Sequence, residues 1–316
     1  MTLDPRQLRA DSRALLCPQL QNARKLALIS QGALLGVNLL LCVLEVLLET
    51  VINENGGLSG MGLRSALSTV TTMCSLAISF LSPFWSIGIL FVFLGIARRE
   101  NPDTQSLFEG FRRFGPVLRY RLLTIALIAG LSIGIVYLYS ILSTFLPTNP
   151  EFAAFIQENQ DAFFADPEAV LAQMPQGLLF ETVAPGVVIL CVLFLSVLIP
   201  LSYRLRLGEY ALMDKSGTGA LAALSYSMRT MKGHCVAAFK LDLNFWWYYL
   251  AIFALSAVAQ LDMLLPELGI ALPFTDSISR LIFYAIYSLG ALALTYYAIP
   301  QTQAAYAKFY VALQGE

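Results

Sequence analysis

Charge is scarce in this chain. Asp, Glu, Lys and Arg make up 13% of its 316 residues, about half the share of an ordinary soluble domain. That deficit argues against a water-soluble fold. Basic excess is missing too: the net charge is −1, so nucleic acid is not an expected partner. The chain holds one histidine, His234, which excludes an H-E-x-x-H zinc site and leaves a serine nucleophile without a nearby base. None of the five cysteines belongs to a C-x-x-C pair, so neither a disulfide framework nor a metal site is expected. There is no Gly-rich phosphate loop. The G-x-S-x-G pattern at 130–134 lies inside an apolar stretch rather than on a strand-turn-helix elbow. No enzymatic activity and no cofactor are expected.

What fills the chain is apolar. Hydrophobic residues reach 57% and the mean hydropathy is +0.67. Several apolar runs match the ~20 residues that a helix needs to cross a bilayer. The expected fold class is all-α: a polytopic membrane protein, one integral membrane domain over 1–316, with six transmembrane helices at 26–48, 65–97, 117–146, 182–207, 237–264 and 277–299. Pro83 predicts a kink near Ser82. Asp4-Pro5 reads as an N-cap and first-turn proline. The amphipathic stretch that follows, with Leu8, Leu15 and Leu16 among Arg6, Arg9, Arg13 and Arg24, reads as a helix on the membrane surface or a solvated one. A second amphipathic helix is expected from Asp103 or Thr104 to Arg113, ended by Gly115-Pro116, and an amphipathic tail through Tyr306 and Tyr310. The first span is expected to act as an uncleaved membrane signal.

Orientation follows from charge placement. In the stretch 222–250, Arg229, Lys232, His234 and Lys240 lead into Trp246, Trp247, Tyr248 and Tyr249, the order of a helix entering a membrane from its basic side. Six spans put all of the 20 Lys and Arg residues except Arg64 and Arg280 on one face. That places both termini in the cytoplasm and the acidic segment 148–181, which lacks Lys and Arg, outside. This outer segment is the expected location for any protein partner. Residues 110–114 and 227–231 resemble one another, either as an internal repeat or as two similar basic connections.

Span 1 carries Gln31, Asn38 and Glu45 at intervals of seven, with Glu49 one turn further. Seven residues are nearly two turns, so these groups share a face. A carboxylate facing lipid costs roughly 2.5–3.5 kcal/mol at mid-helix, so the face is expected to point inward. It is either a ligand or ion site, or a polar face paired with hydroxyls or with Arg280. Span 2 carries Ser68, Thr72, Ser75, Ser79, Ser82 and Ser86, a hydroxyl stripe read as close helix packing, with a permeation path as the alternative. The glycine pairs Gly32/Gly36 and Gly130/Gly134 also read as packing. Arg112, Arg113, Arg229 and Lys232 are candidate contacts for anionic lipid headgroups.

The motifs SMRTMKGH at 227–234, FKLDL at 239–243, the aromatic step at Phe245-Trp246-Trp247 and the ending from Ile299-Pro300-Gln301 to Lys308-Phe309-Tyr310 resemble a bacterial membrane-protein family known as domain of unknown function 975. Leu107-Phe108 and Gly110-Phe111 resemble its first cytoplasmic connection. The likeness is good over the last third of the chain and looser before it. It implies a multi-pass protein of the bacterial plasma membrane, and it implies no activity and no catalytic residues. The expected function is therefore non-enzymatic, binding membrane lipids or a small ligand or acting as a scaffold. The alternative is a secondary transporter or channel using the polar faces of spans 1 and 2.

Overall fold

A computed structural model describes residues 4–54, 58–144, 149–160, 173, 176–214, 217–267 and 276–315. Among the described residues all regular structure is helical. The helices are α1 (Pro5–Leu16), α2 (Leu20–Glu54), α3 (Leu58–Ala97), α4 (Glu109–Arg112), α5 (Phe114–Ser143), α6 (Pro150–Glu158), α7 (Gln176–Leu205) and α8 (Gly208–Asp214). They continue with α9 (Ala220–Thr230), α10 (Cys235–Leu243), α11 (Trp246–Ala259), α12 (Leu261–Glu267), α13 (Asp276–Tyr297) and α14 (Ile299–Gln314). Among the described residues five helices are long and apolar enough to cross a membrane, or six if α10 and α11 count as one span bent by 66°.

Local sequence explains most boundaries. Asp4 accepts from the Arg6 amide at 3.0 Å and Pro5 opens α1. Asp103 caps a 3-10 turn, Thr104–Phe108, accepting from the Thr104 amide at 2.7 Å. Gly115-Pro116 does not end this segment as expected. Pro116 falls in the first turn of α5, where its missing N–H has no intrahelical acceptor to lose. Pro83 lies inside an uninterrupted α3. The expected span 237–264 is divided instead. Phe245, at the bend between α10 and α11, is fully buried. Asn149 caps α6, accepting from the Glu151 amide at 3.0 Å, and Pro150 opens it. Most of the remaining outer segment, at 161–172, lies outside the described residues.

The chain divides into two compact units, Tyr120–Leu205 and the combination of Met1–Arg119 with Arg206–Glu316. The smaller unit holds α6, α7 and most of α5. Buried Tyr120 donates to the Leu205 carbonyl at 2.9 Å. Ile125, Ile133, Val136, Val188, Val192 and Leu195 are exposed, as suits helices whose solvent is lipid.

The larger unit is centred on α14. Ala304, Ala305, Tyr306, Ala307, Phe309, Tyr310 and Leu313 are all buried. The tail expected to be amphipathic is a core helix, with α1 and α3 both packed on it and its small alanines buried. Leu8 and Leu16 of α1 are buried in this unit, so their side chains face protein rather than lipid. Close backbone approach occurs at Gly88 of α3, where a Cβ would collide with the Leu107 carbonyl, and at Gly110, where it would collide with the Phe84 carbonyl. Phe84 stacks on Phe114 with ring centroids 4.6 Å apart beside this contact. The expected packing glycines behave differently. A Cβ at Gly32 would meet Leu292 at 3.6 Å, an ordinary contact, while Gly36, Gly130 and Gly134 face open space. Ser68, Thr72, Ser75 and Ser79 are exposed. Thr72 and Ser86 donate to carbonyls one turn back in α3, at 2.7 and 3.0 Å. Those two hydroxyls are satisfied within their own helix instead of bridging to a neighbour.

Candidate functional site

Two carboxylates fasten α14 to the rest of the larger unit. Asp242, near the end of α10, receives the Arg206 guanidinium at 2.7 Å, the Tyr249 hydroxyl at 2.6 Å and the Tyr306 hydroxyl. The Arg206 guanidinium also lies 3.7 Å from the centre of the Tyr306 ring. Asp214, at the end of α8, receives Arg98, Gln314 and, at 3.0 Å, the Tyr310 hydroxyl. Burial alone would raise Asp214, but the hydrogen bonds from Gln314, Arg98 and Tyr310 outweigh it and hold the carboxyl below its ordinary range. Burial and the nearby Asp214 charge push the Tyr310 hydroxyl upward. Burial, and then Asp242 against the opposing Arg206, does the same to Tyr306. These groups are matched to one another, so their chemistry is structural clamping.

Sequence reasoning missed both clamps. The available signal was a lone carboxylate inside an apolar helix, Asp242 within FKLDL, followed by hydroxyl-bearing aromatics four residues apart at Tyr306 and Tyr310.

The span 1 candidates do not converge on one site. Gln31 borders a cleft of about 170 Å³ with Tyr248, Tyr287 and Thr295. Asn38 donates to the Leu34 carbonyl of its own helix at 2.9 Å. Glu45 stands 3.9 Å from Arg280, which also stands 3.7 Å from Asp262. The Glu49 side chain lies outside the described residues. Between α2 and α3 there is a cavity of about 240 Å³ with an apolar lining that includes Leu34, Val37, Leu81 and Trp85.

The headgroup candidates also divide. Arg113 donates to the Leu212 and Met213 carbonyls at 3.3 and 3.0 Å and is committed to α8. Arg112 is exposed beside Glu109 at 3.4 Å. Arg229 and Lys232 are exposed.

Two cavities elsewhere gather basic groups. Arg6, Arg9 and Arg13, at i, i+3 and i+7 on α1, line a cavity of about 310 Å³ with Asn244. Burial, and then the neighbouring Arg13, lower the Arg9 pKa from its ordinary value; its guanidinium lies 5.1 Å from the centre of the Phe245 ring, and its Nε is buried without a hydrogen-bond partner. A larger cavity of about 580 Å³ is bounded by Asp11, Leu15, Pro18, Gln19, Arg99 and Lys308. Arg99 enters it from a strained backbone. With φ at +64° it occupies the left-handed position after α3, and the Arg99 and Glu100 amides close the helix end on the Ile96 and Gly95 carbonyls, both at 2.9 Å. Glycine usually holds that position. A side chain there costs about 1–2 kcal/mol.

These features define an all-α, multi-pass membrane protein whose larger unit carries buried clamps and basic cavities. The chain belongs to the family described as Protein of unknown function (DUF975), which matches it over residues 18–316. The resemblance carried by the last third therefore extends to nearly the whole chain. No curated protein and no solved structure matches it.

Proposed function

We propose that this is a non-enzymatic, multi-pass protein of the bacterial plasma membrane, with both termini cytoplasmic, whose work is to bind lipid headgroups and hold other membrane components. The cavity on α1 carries this reading. Arg6, Arg9 and Arg13 face one space with Asn244 and no carboxylate. Crowded cations at a membrane surface favour an anionic headgroup, at roughly 1 kcal/mol per basic residue. The apolar cavity between α2 and α3 suits a hydrocarbon chain better than an ion.

The test is thermal stability of the purified full-length protein across lipids, ions and solutes. Stabilisation by anionic phospholipid should survive the double substitution Glu45→Gln, Glu49→Gln and disappear with Arg9→Gln, Arg13→Gln. A soluble ion or solute that stabilises the wild type but not the Glu45→Gln, Glu49→Gln protein would replace this reading with transport.

A further inference from the structure

We propose that the cavity between α1, the end of α3 and α14 is a binding site for a phosphate ester bearing an ammonium group, of the phosphoethanolamine type. The proposal deepens the headgroup reading above and rests on it, but it concerns a different cavity with different chemistry.

Two observations converge there. Exposed Arg99 and half-buried Lys308 line one space from separate elements, and among the described residues neither side chain has an ion pair or hydrogen bond. Two cations sharing a cavity attract an anion, and a phosphate ester accepts from both. Asp11 borders the same cavity and likewise makes no ion pair among the described residues. Gln19 closes one wall of the cavity, its Nε2 donating to the Glu100 carbonyl at 3.2 Å and to Asn101 Oδ1 at 2.5 Å, which ties the chain just after α1 to the turn after Arg99. A bare phosphate would satisfy Arg99 and Lys308 and leave Asp11 unanswered. A choline ester carries no N–H. An ammonium on the same ester as the phosphate answers all three.

The strain at Arg99 points the same way. Glycine would close the end of α3 without a left-handed side chain, yet an arginine stands there and its side chain lines the cavity. Strained residues held against their preference cluster at ligand sites.

The experiment uses the full-length protein in detergent. Native mass spectrometry measures retention of dioleoyl-phosphatidylethanolamine, dioleoyl-phosphatidylcholine and dioleoyl-phosphatidylglycerol, and calorimetry measures binding of soluble glycerophosphoethanolamine and inorganic phosphate. The ethanolamine lipid or the soluble ester should bind at least tenfold more tightly than the choline lipid and inorganic phosphate. Arg99→Gly and Lys308→Gln should each weaken it at least tenfold, and Asp11→Asn should erase the preference over phosphatidylglycerol. Arg99→Gly should hold or raise the Tm, so its loss of binding would not be loss of fold. Saturation by the soluble ester would identify a free metabolite as the ligand; binding of the acylated form alone would identify a bilayer lipid. Ethanolamine binding within twofold of wild type in both Arg99→Gly and Lys308→Gln overturns the site while the headgroup reading stands. Equal binding of the choline and ethanolamine lipids does the same. A wild-type protein that retains no phospholipid or ester overturns both.

Discussion

Replacing Asp242 with Asn should destabilise the larger unit far more than the loss of one surface charge would. Three donors meet on this carboxylate: Arg206, Tyr249 and Tyr306. The Asp242 side chain is only 12% exposed and that of Arg206 34% exposed. Removing one partner of a fully buried pair costs about 3–5 kcal/mol. Water reaching Arg206 lowers that figure, while the two tyrosine hydroxyls losing a charged acceptor add to it. We take about 3 kcal/mol as the net, equivalent to a fall in Tm on the order of 6–12 °C for a unit of this size. Scanning fluorimetry in detergent reads it directly, since Trp246 and Trp247 open the helix that carries Tyr249. Tyr306→Phe should cost less, about 1–2 kcal/mol, because the ring stays against Arg206 at 3.7 Å. The double variant should fall short of the sum of the two by about 1 kcal/mol, as groups sharing a network do. A shift under 2 °C for Asp242→Asn, or strict additivity, would refute the clamp.

Gly88→Ala drives a Cβ into the Leu107 carbonyl and should cost at least about 1–3 kcal/mol, whereas Gly36→Ala, which faces open space, should be neutral or slightly stabilising in the same thermal assay. Asp214 has a folded pKa below its unfolded value of about 4, so its stabilisation is complete above that pH and is lost as pH falls through the folded value; Asp214→Asn should flatten this acid limb of a stability profile. Tyr306 and Tyr310 are shifted the other way, so their stabilisation is complete below pH about 10 and is lost as pH rises beyond it; Tyr310→Phe should blunt the alkaline fall. With a cytoplasmic N-terminus, exposed Cys17 should react with an impermeant maleimide only in inverted vesicles, while Cys191, exposed in mid-span of α7, should resist labelling from both sides because a charged reagent does not enter hydrocarbon; labelling of Cys17 in intact cells would reverse the topology.

Much of the fold could be read from the chain because bilayer spans depend on composition. Apolar length locates them whatever they touch, and caps such as Asp4 and Asp103 act within a few residues of themselves. What escaped the reading depends on partners far away in sequence. Nothing local distinguishes Gly88, which is pressed against a carbonyl, from Gly134, which touches nothing. The hydroxyl stripe of α3 has the spacing of a packing surface, but that spacing is also what lets a hydroxyl bond to the carbonyl one turn back. The bend after α10 falls at Asn244 and Phe245, and neither a proline nor a glycine marks it in the sequence.

The candidate residues show the same division more sharply. Gln31, Asn38 and Glu45 share a helical face, and periodicity alone makes them look like one site. Each has a different neighbour: a cleft beside Tyr248 for Gln31, its own helix for Asn38, and Arg280 for Glu45. A face becomes a site only when another element closes over it, and nothing in span 1 names that element. The cavity at Arg99 reverses the case. Asp11, Gln19, Arg99 and Lys308 fall in four sequence contexts that share no motif, and the fold brings them around one space. The backbone carries the only local hint, an arginine where the end of α3 would take glycine. In sequence that position reads as one more basic residue after a span, which the positive-inside rule already accounts for. A residue that satisfies topology can satisfy a ligand with the same charge, so the two roles separate only where the chain holds a cation in a conformation that topology does not require.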